Sequence, residues 1–452
     1  MVKGTTRRAV LRRTGALATA GAVAVAGCLD GEASADVEDE TITIGAIQPV
    51  SGDLAYYGEI SLMGFYSGLA YKYDVDPIDD LTTGTHTMEI EDGPDFEIIV
   101  QDTIFDPDTA QDVATDLVVE EDADILFGAS SSESARRVIA NVVDDAGVPY
   151  IVGPAADADI TVSEEHCHEL AFRASEHTAM DARAGGRYVA EQGGISTVAI
   201  FHIDDAFGQS VANNYQEVLE AEGIEVLDPR GVDGEFTEFD GLFDEAVDED
   251  GADGVVGGFT VAQLPEFLST GMGYDIQIFG GFAELLTTQL IGDTVEATLG
   301  DDFTEEDVQE AGLGPFTTRY HWNQYDNPIN DEFIDLHVDA YGIVPDLFSA
   351  GTFVGASALA QAIAESESIA GDDIADAMRG MTVEDTPKGE NAYEFQEFNN
   401  QARSEMTVAW PVPTSEEYAD TWDAVVMPGE PLETLSADEV MVPEDEAGCS
   451  LN

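Results

Sequence analysis

Gly128–Asp157 reads GASSSESARRVIANVVDDAGVPYIVGPAAD, and this stretch decides the fold. The short apolar run before it, Asp124–Phe127, predicts a buried strand. The serine cluster Ser130–Ser132 follows, then a helical pattern over about Glu133–Ala146, then a second strand, Val148–Val152. Strand, loop, helix, strand is a βαβ unit, and ligands of such units sit outside the carboxyl ends of the parallel strands. Two loops lie at those ends, the serine cluster and Gly153–Asp157, and neither carries bulk. A helix N-terminus offers unpaired N–H groups and partial positive charge. Ser131 or Ser132 can cap that helix while its neighbour offers a hydroxyl, which suits a carboxylate without any lysine or arginine. The second loop is expected to add free carbonyls and one carboxylate, Asp157, facing a cation. An anion loop beside a cation loop suits an amino acid; the plainer reading is a capped helix and one more surface acid.

The same rhythm continues on both sides of this unit. Thr41–Ile47, Phe96–Gln101, Thr197–His202, Asp253–Gly258 and Ile276–Phe279 read as strands separated by helical patterns. Asp106-Pro107 opens a helix with a cap and a first-turn proline. Thr178 and Asp181 read as a capping box for a helix reaching about Gln192. Residues 74–95 and 292–314 read as an exposed excursion and an acidic insertion. Glu169–Arg173 reads as an extended connector and Pro315–Tyr320 as a crossing between lobes. Thr382–Pro387 crosses again, and Ala392–Phe398 with Met406–Val412 read as a terminal hairpin. The fold class is therefore α/β: two doubly wound parallel-sheet lobes in one chain of 452 residues.

Charge bounds the partners. The chain carries 93 acidic and 16 basic residues, a formal net charge of −77, with lysine only at positions 3, 72 and 388. Such a chain repels nucleic acid and anionic lipid. Its apolar periodicity sets it apart from disordered acidic chains. It suits a protein of very high salt, where the Debye length falls to about 3 Å and self-repulsion is screened. A halophilic source and unfolding in dilute buffer are expected.

The N-terminus reads as an address. Thr6-Arg7-Arg8-Ala9-Val10-Leu11-Arg12 resembles a twin-arginine export signal. The apolar stretch Ala16–Ala26 is too short to span a bilayer. Val25-Ala26-Gly27-Cys28 resembles a lipoprotein cleavage box, so Cys28 is the expected lipid anchor after removal of 1–28, with 29–40 as a tether. Anchoring places the protein on the outer face of the cytoplasmic membrane. The two remaining cysteines, Cys167 and Cys449, form an even pair in an exported protein and read as a disulfide. The competing reading of His166-Cys167-His168 as metal ligands fits no standard spacing, because adjacent residues cannot all face one ion.

The order of short motifs resembles the type I solute-binding proteins of ABC importers, nearest the leucine/isoleucine/valine-binding group. The resemblance covers most of 41–428. It rests on Ile44-Gly45-Ala46, Pro49-Val50-Ser51-Gly52, Tyr57-Gly58, Asp102, Asp106-Pro107, Gly128–Ser132, Val148-Pro149 and Pro154-Ala155-Ala156. Phe172-Arg173, Phe207-Gly208, Gly257-Gly258-Phe259 and Gly280-Gly281 continue it. It implies two lobes joined by three hinge crossings: 41–171 with 315–385, and 172–314 with 386–430, followed by an acidic tail, 431–452. It also implies a ligand carboxylate held at Ser131 or Ser132, and contributions from Ala155, Ala156 and Asp157. Aromatic walls are implied at Tyr57, Phe207 and Phe259. The chain departs from the family pattern at Asp157, where threonine is common, and at Phe259, where tyrosine is common. The second-lobe glutamate that meets an ammonium falls near Phe282, with Glu284 two residues on.

The implied role is capture of a branched-chain-type amino acid, or alternatively an amide, urea or aromatic acid. Delivery is to the transmembrane subunits of a permease, by a monomer without cofactor or metal. Chemistry of other kinds lacks its motifs: there is no G-x-S-x-G elbow, H-E-x-x-H, P-loop, or G-x-G-x-x-G after a strand. The spacing of Asp248, Asp250 and Asp253 does not make a calcium loop. A sensing receptor would call for a membrane span or signalling domain after 430.

Overall fold

Alternation of apolar residues over Thr41–Gln48 makes this segment β1, buried along most of its length. The protein is described here by a computed structural model covering residue 37 and residues 40–451. The export signal, Cys28 and most of the expected tether lie outside the described residues. β1 is the centre of a six-stranded sheet with β2 (Gly84–Met88), β3 (Asp95–Asp102), β4 (Ile125–Gly128), β5 (Tyr150–Val152) and β6 (Ala171–Arg173). The spatial order is β2-β3-β1-β4-β5-β6, with only β2 antiparallel. Ile44 stands between Ile98 and Ile125, so both faces need covering. The helices Tyr56–Tyr73 and Leu347–Ser366 provide much of that cover. They approach closely because Gly64 and Gly68 lie at their crossing; an added Cβ would stand 2.1 Å from the Ser349 carbonyl oxygen and 2.5 Å from that of Phe353. Leu347–Ser366 is long and apolar enough to cross a membrane, but its apolar window is 89% buried within this lobe, as a core helix.

The second sheet contains β7 (Thr197–Ile203), β8 (Glu225–Val226), β9 (Arg230–Val232), β10 (Gly254–Gly258), β11 (Gln277–Gly281) and β12 (Leu313–Thr318). Its parallel part runs β12-β11-β10-β7-β8, with β9 also on β7. Met406–Ala409 then adds antiparallel to β12, and Glu433–Leu435 antiparallel to Met406–Ala409. The fold is the two-lobed α/β arrangement expected.

Several local expectations are corrected. The excursion 74–95 contains β2, an edge strand in which Thr85 and Thr87 face solvent, His86 is half-buried and Met88 alone is buried, so its pattern is faint. The connector at Glu169–Arg173 is β6, the far edge of the first sheet. The acidic insertion 292–314 holds two helices, Gly292–Leu299 and Glu305–Glu310, before β12 begins. Pro315–Tyr320 is largely β12 itself, fully buried against β11, so the chain leaves the second sheet only at Arg319. The terminal hairpin does not form. Tyr393–Phe395 pairs with Thr382–Val383 and Ala402–Arg403, while Met406–Ala409 joins the second sheet. Neither segment had enough length to reveal its partner. The Thr178/Asp181 capping box is also absent, because Thr178 bonds Ser210 and Asp181 pairs with Arg319.

Where the chain passes between sheets, a buried ion pair ties distant segments together. Glu176 Oε1 accepts from Lys388 Nζ at 2.8 Å, Tyr393 Oη at 2.6 Å and Ser404 Oγ at 2.8 Å. The disulfide Cys167–Cys449 is present, with Cα atoms 6.1 Å apart. It links the tail, which begins as the strand Glu433–Leu435 on the second sheet, to the loop before β6 on the first.

Candidate ligand-binding site

The carboxyl ends of both parallel sheets face one cleft. Between them lies a cavity of about 130 Å³ lined from both lobes. On the first lobe, Ser131 caps the helix Ser132–Val138, its Oγ accepting from the Ser134 amide at 3.3 Å. Ser132 Oγ accepts from the Asp157 amide at 3.2 Å, which leaves its own proton free to be donated. Ser130 Oγ donates to Gln48 Oε1 at 2.7 Å. All three serines line the cavity, so the helix N-terminus is aimed into it.

The second first-lobe loop is built differently from expectation. Its carbonyls are not free: Arg173 donates to the carbonyls of Ala155 (3.1 Å) and Asp157 (2.6 Å), and the Thr178 amide donates to that of Ala156. Arg173 is wholly buried and also bonds Gln401 and Thr161; burial brings its guanidinium down to about 9. The Asp157 carboxylate does not face the cavity. It is fully buried against Arg136, and burial raises its pKa while Arg136 opposes the rise. Of the three loop residues Ala155, Ala156 and Asp157, only Ala156 lines the cavity, beside Pro154.

Aromatic groups form the walls. Tyr57, at the start of the helix Tyr56–Tyr73, packs on Phe348 with ring centroids 5.3 Å apart and on Phe105 at 5.8 Å. Its hydroxyl accepts the Val261 amide of the other lobe at 2.7 Å. A second bond across the cleft runs from the Ala158 amide to Ser210 Oγ at 3.1 Å. Phe207 lies in the first turn of the helix Ala206–Ala221, capped by Asp205, and Phe259 follows β10, packed against Phe239 and Phe267. Both line the cavity.

Sequence reasoning missed Phe105. It lines the cavity because Ile104 and Phe105 both take positive φ, 46° and 60°, which is costly for such residues. Asp102 Oδ1 holds the Ile104 amide at 2.9 Å and Thr103 Oγ1 the Phe105 amide at 3.3 Å. The Asp-Thr pair at the end of β3 was the available signal.

Glu284 lines the second-lobe side. It caps the helix Leu285–Leu290, with Oε1 accepting from the Thr287 amide at 3.1 Å and from the Thr287 hydroxyl. Burial pushes its carboxyl up to about 7 against those two bonds. Asp205 is likewise raised by burial. Arg319 and Asp181 also line the cavity as a two-point ion pair, with Arg319 Nε donating to Asp181 Oδ1 at 3.0 Å and Nη2 to Oδ2. No sequence signal connected these two residues, which lie 138 positions apart.

The profile of the family described as "Periplasmic binding protein" matches residues 41–410. The chain belongs to that family. As a periplasmic binding protein it resembles solved structures over most of its length. A solute-binding protein of an ABC transporter from Rhodopseudomonas palustris, solved with p-hydroxybenzoic acid, matches with a TM-score of 0.68 at 20% identity. That match covers 88% of this chain and 98% of the other. A leucine-binding protein from Thermotoga maritima matches with a TM-score of 0.68 at 15% identity, covering 88% and 99%. These likenesses establish the type I periplasmic binding protein fold. In sequence, a leucine-, isoleucine-, valine-, threonine- and alanine-binding protein of Pseudomonas aeruginosa is 24% identical over 212 residues. This match spans 47% of the chain and about half (52%) of that relative. The periplasmic binding protein cleft thus presents Ser131, Ser132, Ala156, Tyr57, Phe207, Phe259 and Glu284 at its cavity, but neither Ala155 nor Asp157.

Proposed function

We propose that this chain is the ligand receptor of an ABC importer, capturing a small organic acid between its lobes and presenting the closed form to a permease. The observation that carries this reading is the cavity itself: a helix N-terminus with a free serine proton on one lobe, ionisable groups on the other, and aromatic walls between. The ligand carboxylate lies at Ser131 and Ser132. The Tyr57–Val261 and Ala158–Ser210 bonds, made only when the lobes meet, favour closure together with ligand contacts from both sides. Relatives are named for branched-chain amino acids and for aromatic acids, so both ligand classes are carried forward. The family is one of binding proteins, which supports capture without chemical conversion. Export by the twin-arginine route, anchoring through Cys28, a monomeric state and life at high salt complete the proposal. The charge of −77 supports the last of these.

A thermal-shift screen at molar salt tests the reading, with amino acids, amides, urea and aromatic acids. Ligands that bind only the folded state raise the melting temperature. No shift with any small acid would overturn it. Retained near-UV dichroism in dilute buffer would overturn the high-salt component alone.

A further inference from the structure

The second-lobe end of the cavity carries a polar cluster with no assigned purpose. Asp181 and Arg319 face each other through two hydrogen bonds, which leaves the guanidinium with N–H groups beyond those two. Thr317 Oγ1 donates to the Asp181 carbonyl at 3.1 Å. The hydroxyl of Tyr215, a residue 1% exposed, lies in this cluster beside the Thr317 hydroxyl, but no bond of full hydrogen-bond geometry satisfies it. A buried phenol held only by a poorly aligned neighbour keeps hydrogen-bonding capacity to spare, and in a cavity wall that capacity is open to a ligand. Two successive glycines at the end of β11 border the cluster. A Cβ on Gly281 would stand 4.0 Å from Asp181 Oδ2, and one on Gly280 would stand 3.9 Å from Tyr215 Oη.

We infer that Arg319, Asp181 and Tyr215 form a distal subsite that selects an organic acid whose far end carries an uncharged group able both to donate and to accept a hydrogen bond. The cluster is close to neutral as a whole, since the cation and carboxylate pair with each other, so a net charge at the ligand's far end gains little there. An amide or hydroxyl can accept from the guanidinium or the phenol and donate to the carboxylate. An aliphatic end would cover these groups without satisfying any of them, a penalty on the side of the polar ligand's competitor. This inference rests on the receptor reading above and deepens it: the carboxylate at the serine loop sets the orientation, and the distal cluster sets which acid is taken.

The test uses matched pairs of similar shape, titrated calorimetrically into the full-length protein at molar salt: leucine against asparagine, valine against threonine, and 4-methylbenzoate against 4-hydroxybenzoate. In the pair that fits the cavity, the polar member is expected to bind at least about tenfold tighter, the discrimination of a site built to hydrogen-bond its substrate. Equal or tighter binding of the apolar members overturns the inference and leaves the receptor role standing. Binding of no member overturns the inference, and together with no shift in the wider thermal screen it overturns the receptor role as well. Tyr215→Phe removes only a hydroxyl whose one protein neighbour, that of Thr317, is poorly aligned, so the fold is retained, as circular dichroism will show. It is expected to narrow the polar-to-apolar ratio by about fivefold. An unchanged ratio overturns the place of Tyr215 in the subsite.

Discussion

The two walls of the cleft are built on opposite principles. The first-lobe wall presents no charge to the cavity. The carboxylate of its small-residue loop, Asp157, is buried against Arg136, its loop carbonyls are taken by Arg173 and Thr178, and it works through serine hydroxyls and a helix N-terminus. The second-lobe wall is crowded with ionisable groups: Asp181, Arg319, Asp205 and Glu284 all line the cavity. Backbone dipoles hold an anion at a fixed place and do not titrate. Side-chain acids and bases are tunable by burial and by each other. The first wall is therefore suited to a group that every ligand of the family shares, and the second to the part that differs.

The largest expected effect comes from breaking the ion pair on the second wall. Arg319→Leu leaves Asp181 buried without its partner and is expected to destabilise the protein by about 3–5 kcal/mol, read by chemical denaturation at molar salt. Adding Asp181→Leu is expected to restore most of that loss, because the uncompensated acid is gone. Ligand preference would still be changed in the double variant. Arg136→Leu strips the corresponding acid on the first wall and also destabilises, but Asp157 lies outside the cavity, so the order of ligand preference should be kept. Altered preference in Arg136→Leu would erase the contrast between the walls.

That contrast also explains what was legible in the sequence. The first wall comes from contiguous chain. Strand, serines, helix, strand and small-residue loop all fall within 30 residues, so periodicity and capping chemistry locate Ser131, Ser132 and Ala156 directly. Asp157 was misjudged because its partner, Arg136, was visible in the same stretch but its burial was not. The second wall is assembled from long range. Asp181 follows the first passage between lobes and Arg319 the exit from β12, and only the finished sheet brings them together. Phe207, Phe259 and Glu284 were found through family resemblance, whereas nothing pointed to Tyr215, and the Asp-Thr turn signal before Phe105 was passed over. The sheets followed the same rule. Most continuous apolar strands of the parallel core were recognised, but the short edge strands β2 and β6 were not, and Met406–Ala409 was read as a strand with the wrong partner, since a short strand's pattern does not name its neighbour.

The tail offers a way to test whether the two walls are held in register. It starts on the second sheet and ends at Cys167 beside β6, closing a loop with a sequence separation of 282 residues. Replacing both Cys167 and Cys449 by serine is expected to cost about 2–5 kcal/mol of stability, with the melting temperature as the readout. Mass mapping without reductant should find neither thiol alkylatable in the native protein. Free thiols in that experiment would remove the disulfide from the account.

On the first wall, Ser132→Ala removes a single donor and leaves Ser131 capping the helix. Binding is expected to weaken by about 1–3 kcal/mol, the scale of a charge-assisted hydrogen bond, for every acid the protein takes. A loss confined to one ligand class would mean that this wall also discriminates.

The smallest effect, and the sharpest separation of the walls, is in pH. The Glu284 carboxyl is held up to about 7 by burial, above its ordinary value near 4.5. The native state therefore keeps a proton that the unfolded chain has released, and this group's contribution to stability falls as pH rises from about 4.5 to 7. A ligand ammonium placed at Glu284 reverses the preference, since it needs the carboxylate. Affinity for such a ligand should climb by up to tenfold per pH unit, or about 1.4 kcal/mol, below 7 and level off above it, with a proton released on binding. Calorimetry in buffers of different ionisation heat counts that proton, and Glu284→Gln should abolish both the slope and the release. A ligand whose only charged group is the carboxylate at the serine loop has no such requirement. Its affinity should be level below 7 and fall above it, where ionised Glu284 repels the acid. The direction of the slope around pH 7 thus reports whether the ligand brings an ammonium to Glu284 on the second wall.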